Sequence, residues 1–161
     1  MKTLKLKAIL IVVLAGFMSF SVKAQSSNSN VPQAVNTAFS NQYAHVQVKK
    51  WKMKGDTSVA EFSMNHRNYM AYYSPDGGWY KSERNIRHKS SLPIATQTFL
   101  KTSKYASWNV DRLAKITSPQ HTMYLVQIDN HSGSLNDYEG FGSANSKMLY
   151  FNSHGELVKA Y

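Results

Sequence analysis

The run from Tyr69 to Tyr80, YMAYYSPDGGWY, leaves its backbone little choice. Ser74-Pro75-Asp76-Gly77 is turn chemistry. Pro75 presets φ at the second position, and Gly77 can take the positive φ that closes a three-residue hairpin with a bulge. The aromatic residues on either side favour extended strands. A similar run lies near the C-terminus, Lys147 to Val158, KMLYFNSHGELV. There Tyr150-Phe151 stands for Tyr72-Tyr73, Gly155 for Gly77 and Leu157 for Trp79. A hairpin met twice predicts a duplicated unit.

The rest of the chain can be read on that basis. Val31-Pro32 opens a helix, proline being suited to the first turn, and Val35, Ala38, Phe39 and Tyr43 follow at helical spacing. Val46 and Val48 alternate, as do Trp51 and Met53, with a slip of phase at Lys49-Lys50 that predicts a β-bulge. Further strands are expected over Ser58 to Met64, Tyr69 to Tyr73 and Trp79 to about Ile86. Leu92-Pro93 repeats the Val31-Pro32 opening, and Ala95, Phe99 and Leu100 give a second helix its apolar face. Strands over Trp108 to Ile116 and Met123 to Ile128 lead to the closing hairpin, Lys147 to Phe151 with Glu156 to Tyr161. The expected fold is α+β: a tandem repeat of a helix plus a four-stranded antiparallel sheet, residues 31–87 and 92–161, with both helices on one face of a continuous sheet. A Gly-, Ser- and Asn-rich insertion spans Asp129 to Ser146. The spacing of its acids Asp129, Asp137 and Glu139 does not fit an EF-hand loop.

Residues 1–24 read as a secretory signal peptide. Lys2, Lys5 and Lys7 precede the uncharged apolar run Ala8 to Phe20, and Val22-Lys23-Ala24 supplies the small residues of a cleavage site. The apolar run is short of the roughly 20 residues that a membrane anchor needs, so no stable span is expected after cleavage. Ser26 to Asn30 then makes residues 25–30 a flexible tether. Removing the leader takes four lysines with it and lowers the charge from +10 to +6, 15 basic residues facing 9 acidic ones. In an exported chain such an excess suits acidic surfaces or anionic glycans rather than nucleic acid. The chain has no cysteine, so packing alone must hold it together.

Strand register sorts the side chains onto two faces. With His66-Arg67 as the turn centre, Met64 pairs with Tyr69, Phe62 with Ala71 and Ala60 with Tyr73, and the Pro-Asp-Gly hairpin pairs Tyr73 with Trp79. Cross-strand partners share a face. Ala60, Phe62, Met64, Ala71, Tyr73 and Trp79, with Leu149, Phe151 and Leu157, are therefore expected under the helices. Glu61, Met70, Tyr72, Tyr80, Met148 and Tyr150, with Val158, are expected on the other face. Its mixture of aromatic, thioether and charged groups is that of a protein-binding surface, although tyrosines are also good strand formers on a wetted face.

The helix opened by Val/Leu-Pro and the strands ending in aromatic-x-x-x-Gly-x-aliphatic form a recognisable order. Val31-Pro32 with Phe39, Val48-Lys49-Lys50-Trp51, Ala60-Glu61-Phe62, Tyr72-Tyr73 with Gly77, Leu92-Pro93, Tyr150-Phe151 and Gly155 carry it. In this the chain resembles the PepSY-like family of exported Bacteroidetes proteins, grouped with the beta-lactamase-inhibitor-protein-like fold. The resemblance covers nearly all of residues 31–161. It implies tandem helix-plus-four-strand modules, a periplasmic or outer-surface location, no catalytic residues and a sheet face used to bind protein.

The residues themselves offer little chemistry. None of the six histidines has a metal-ligand partner at H-x-H or H-x-x-x-H spacing. No Gly-x-Ser-x-Gly elbow or cysteine nucleophile is present, and no carboxylate pair can be assigned acid and base roles. Neither a catalytic residue, a cofactor nor a metal is expected. The expected function is that of a periplasmic or secreted, non-enzymatic protein-binding module, with an unidentified extracytoplasmic protein as partner and inhibition of an enzyme as one outcome. The alternative is a structural envelope or matrix component that binds anionic surfaces or glycans.

Overall fold

A computed structural model describes residues 31–130 and 146–161. The expected signal peptide and tether, and most of the Asp129–Ser146 insertion, lie outside the described residues. The element order is α1 (Gln33–Gln42), β1 (Val48–Lys54), β2 (Thr57–Met64), β3 (Arg67–Tyr73), β4 (Trp79–Ile86), α2 (Ile94–Thr102), β5 (Asn109–Thr117), β6 (Thr122–Asp129), β7 (Ser146–Asn152) and β8 (Leu157–Ala160). A 3-10 turn at Lys89–Ser91 precedes α2. All eight strands form one antiparallel sheet in the order of the chain, β1 to β8.

The expected tandem repeat of a helix plus a four-stranded sheet is corrected by this topology. The structure is one eight-stranded sheet carrying two helices. Its middle is closed by a ladder between β4 and β5 that pairs Ser82 with Thr117, Glu83 with Ile116 and so on to Ile86 with Leu113. No seam without hydrogen bonds divides it. Hairpin likeness is local, and it carries no information on whether a fourth strand finds a fifth.

Each helix starts where proline sets the backbone. Pro32 O accepts from Val35 and Asn36 N–H at 3.1 and 3.2 Å, and Pro93 O accepts from Gln97 N–H at 3.0 Å. α1 buries Val35 and Phe39 among Ala60, Phe62, Ala71 and Tyr73. It stops at Tyr43, and His45 follows with φ +66°. α2 buries Thr96 and Leu100, and Phe99 packs beside Leu113, Val126, Leu149 and Phe151. Ala95, expected on the apolar face of α2, is exposed, and Thr96 takes the inner position. Its hydroxyl donates to Gly155 O at 3.2 Å, which satisfies a polar group that would otherwise be costly to bury.

Two details of register differ from expectation. The β2–β3 turn is centred on Asn65 and His66, with φ +51° and +58°, as a two-residue I′ hairpin requires. Met64 therefore pairs with Arg67, Phe62 with Tyr69 and Ala60 with Ala71. The displacement is an even number of residues, so every side chain keeps its expected face. Bulges also interrupt β3–β4 between Tyr72 and Tyr73 and β7–β8 between Tyr150 and Phe151. Tyr73 does pair with Trp79, and the slip at Lys49 is present as a register shift in β1. Leu157, expected in the core, pairs with Phe151 on the last strand but is 40% exposed, because nothing packs beyond a short edge strand. Met64 and Trp79 are half-buried at the rim of the first core cluster.

Candidate functional site

Both helices pack on one face of the sheet, on the residues paired with Ala60, Phe62, Val126 and Leu149. Alternation along each strand puts the intervening residues on the opposite, open face. Three cross-strand rows define it. One runs Lys50, Glu61, Met70, Glu83, Ile116, Met123 and Asn152. Its neighbour runs Lys52, Val59, Tyr72 and Lys81. The third runs Asn85, Ala114, Leu125, Tyr150 and Lys159.

Of the residues expected to form a binding face, Glu61, Met70 and Tyr72 come together on β2 and β3. Met148 and Tyr150 also lie on the open face, but on β7, four strands away and so roughly 19 Å across the sheet at the usual strand spacing. Tyr80 belongs to neither group. The β3–β4 bulge pairs Tyr72 with Lys81 instead, and Tyr80 sits at the irregularity, 50% exposed. Val158 has the matching place in the β7–β8 bulge, where Tyr150 pairs with Lys159. Lys81 Nζ lies 4.4 Å from the Tyr72 ring centroid and Lys159 Nζ 4.2 Å from that of Tyr161, within cation–π range.

Between the two groups lie residues that the sequence reading did not single out. Ala114, Ile116 and Leu125 are buried on this face, with Met123 and Tyr150 against them. Beside them is an ion cluster centred on Glu83, which is only 7% exposed. Lys81 Nζ reaches Glu83 Oε1 at 2.8 Å, and Arg112 Nη2 reaches Oε2 at 2.6 Å. Glu83 stands opposite Ile116, so the Arg112 side chain must run up its strand past Ala114 to meet it. A second pair, Lys52 Nζ to Glu61 Oε1 at 2.5 Å, lies nearer the β1 edge.

Burial alone would push the Glu83 carboxyl up, but the hydrogen bonds and charges of Lys81 and Arg112 outweigh it and hold the group below its ordinary value. Tyr72 shifts the other way. Burial first, then the charge and hydrogen bond of Glu83, raise its phenol well above the usual range, so Tyr72 stays protonated as a donor. A depressed acid stabilises the fold fully above its unfolded value, and that stability is lost as pH falls through the folded one. Glu83→Gln should therefore cost about 1–3 kcal/mol at pH 7. The gap to the wild type should narrow below the ordinary carboxyl value of 4.5. Urea unfolding at pH 7 and pH 3 reads this directly, and an unchanged gap would show that Glu83 ionisation is not its source.

Among the described residues, no group of three or more His, Asp or Glu side chains could hold a metal ion. No helix among them is long and apolar enough to cross a membrane. No family model and no curated protein sequence matches the chain. Its fold does match solved structures. A DUF2874 family protein from Bacteroides uniformis superposes with a TM-score of 0.68 at 18% identity, covering 81% of this chain and 88% of its own. A Bacteroides eggerthii protein assigned by name to the periplasm gives 0.67 at 18% identity, with 81% and 88% covered. A BLIP-like protein from Bacteroides fragilis gives 0.65 at 23% identity, with 81% and 85% covered. The chain thus has a BLIP-like fold of the kind found in Bacteroides proteins. At these identities the likeness is one of fold.

Proposed function

We propose that the chain is a non-enzymatic, protein-binding module of the PepSY-like kind, exported to the periplasm or cell exterior once residues 1–24 are removed. Residues 25–30 are its tether and residues 31–161 its folded unit. The observation that carries this reading is the open sheet face. No described helix covers it, and it joins half-buried tyrosine and methionine, packed against a buried apolar strip, to charges already held in fixed pairs. Such a mixture suits a partner surface with both apolar and polar contacts. The BLIP-like fold supports a finer reading, in which the bound partner is an extracytoplasmic enzyme and binding inhibits it.

Affinity capture from the organism's own envelope tests the proposal. Combined Tyr72→Ser and Tyr150→Ser should abolish capture while urea unfolding stays cooperative, whereas Thr98→Ala on the outer side of α2 should leave it intact. Capture unaffected by the tyrosine changes would remove the face from the account. One observation favours the alternative of an envelope or matrix component that binds anionic glycans. Lys49, Lys50, Lys52 and Lys54 are all exposed along the β1 edge. That alternative requires retention on anionic polysaccharide that falls with salt and with lysine-to-glutamine changes in β1, and is indifferent to Tyr72 and Tyr150.

A further inference from the structure

Resting on the reading of the open face as a protein-binding surface, we propose that its partner presents an acidic segment across the β4–β5 ladder. One carboxylate of that segment meets Arg112 and Lys81, and a neighbouring aliphatic or aromatic side chain lies on half-buried Met123, which packs against buried Ile116 and Leu125.

The charge on this part of the face points one way. From β1 to β5, alternation places Lys50, Lys52, Lys54, Lys81 and Arg112 on it, against Glu61 and Glu83. Both acids are already engaged, Glu61 by Lys52 and Glu83 by two cations at once. Exposure sharpens the asymmetry. The Glu83 side chain is 8% exposed, while those of Lys81 and Arg112 are 38% and 36% exposed. An approaching molecule therefore meets the two cations and not the acid between them. A second carboxylate arriving there compensates the excess positive charge and leaves Glu83 paired. Arg112 bonds Glu83 through Nη2, and a guanidinium has five N–H donors in a planar fork suited to carboxylates.

Shape agrees with charge. Two shallow depressions, of about 350 and 580 Å³, share Asn85 and Arg112 in their walls. The first continues to Glu61 and Met70, the second to Gln127 and to Arg87 and Lys89, two further cations that face one further acid, Asp111. An extended segment that occupies both passes directly over Arg112. Beyond buried Ile116, the cross-strand partner of Glu83, the same row continues to half-buried Met123. A side chain within a residue or two of the bound carboxylate can reach it. Complementary charge of this kind mainly sets specificity and the rate of encounter.

A displayed library of random 12-residue peptides, panned on the full mature chain, provides the probe. Enriched peptides should combine Asp or Glu with an adjacent aliphatic or aromatic residue and should shift the amide resonances of β4 to β6. Their affinity should fall about tenfold or more in Arg112→Gln, recover in part in Arg112→Lys, and weaken as salt is raised. Unfolding midpoints of both variants separate lost binding from lost folding. Peptides that bind the open face but are neutral or basic, or ignore Arg112→Gln, overturn the acidic partner and leave the protein-binding reading standing. Enrichment elsewhere on the molecule, or none, sinks both. Retention of polygalacturonate with the same dependence on Arg112 assigns the cations to an anionic glycan and overturns the inference.

Discussion

Phe39→Ala should lower the unfolding free energy by about 4 kcal/mol, the upper part of the range for deleting a buried aromatic ring. Phe39 is 1% exposed and is the hub of the first core cluster. Its ring centroid lies 5.1 Å from that of Phe62, 5.2 Å from Tyr43, 5.7 Å from Trp51 and 6.4 Å from Tyr73. Those neighbours cannot close in on the space it leaves. Phe62 and Tyr73 are fixed by their ladders. Tyr73 also donates to Gln42 Oε1 at 2.8 Å, and the Tyr43 hydroxyl and Ser82 Oγ lie 2.5 Å apart. A cavity that cannot collapse costs both the lost transfer energy and the empty volume. Urea unfolding measures the effect. Phe39→Leu, which keeps most of the volume, should lose less than half as much. Equal losses would mean that the ring contacts, not the filled space, set the cost.

Gly155→Ala should be nearly as damaging, at about 3 kcal/mol or more. Gly155 has φ +90°, and a Cβ there would meet Pro93 Cβ at 2.8 Å and both the amide nitrogen and Oγ1 of Thr96 at 2.9 Å. Backbone strain alone costs of order 1–3 kcal/mol, and the contacts add to it because the start of α2 would have to lift from the hairpin. The Thr96 to Gly155 hydrogen bond would be lost in the same movement. Gly77 repeats the arrangement under α1, with φ +88° and Ala34 O at 2.8 Å from the added carbon. Gly55, at φ +57° with nothing within 4 Å, is the control. Thermal unfolding of the three alanine variants should rank Gly155 and Gly77 well below Gly55. Three equal losses would show that φ alone matters and that contact with the helices does not.

Much of this architecture is written locally. The hairpins at Gly77 and Gly155 close as their turn residues dictate, with Gly77 N–H donating to Ser74 O at 2.9 Å and Gly155 N–H to Asn152 O at 3.0 Å. The Val-Pro and Leu-Pro openings do start helices, and the slip at Lys49 is a real bulge. Face assignment survives the misplaced β2–β3 turn because side chains alternate with period two, so an even displacement leaves them where they were. Tyr80 shows the opposite case. The bulge adds one residue, and one residue suffices to hand the place beside Tyr72 to Lys81. What has no local signature is the joining of β4 to β5. Glu83 and Arg112 lie 29 positions apart, with a 3-10 turn and α2 between them, and no turn chemistry specifies that they meet. The Glu83 cluster and the strip at Ile116 and Leu125 depend on that pairing. It is also the pairing that runs the eight strands together in chain order, in place of the expected tandem repeat of helix-plus-four-strand units.

The order of strands in space follows the order of the chain without exception. Every ladder therefore closes with the strand just before it, β5 across the longer connection through α2, and no strand has to be threaded between two others. Loop-closure entropy is met in small instalments, and contact order is low for a β-rich chain, which favours fast folding. A chain laid down this way can add each strand to the one before it from the end that emerges first. The growing edge, unlike that of a Greek key, is always the latest strand made.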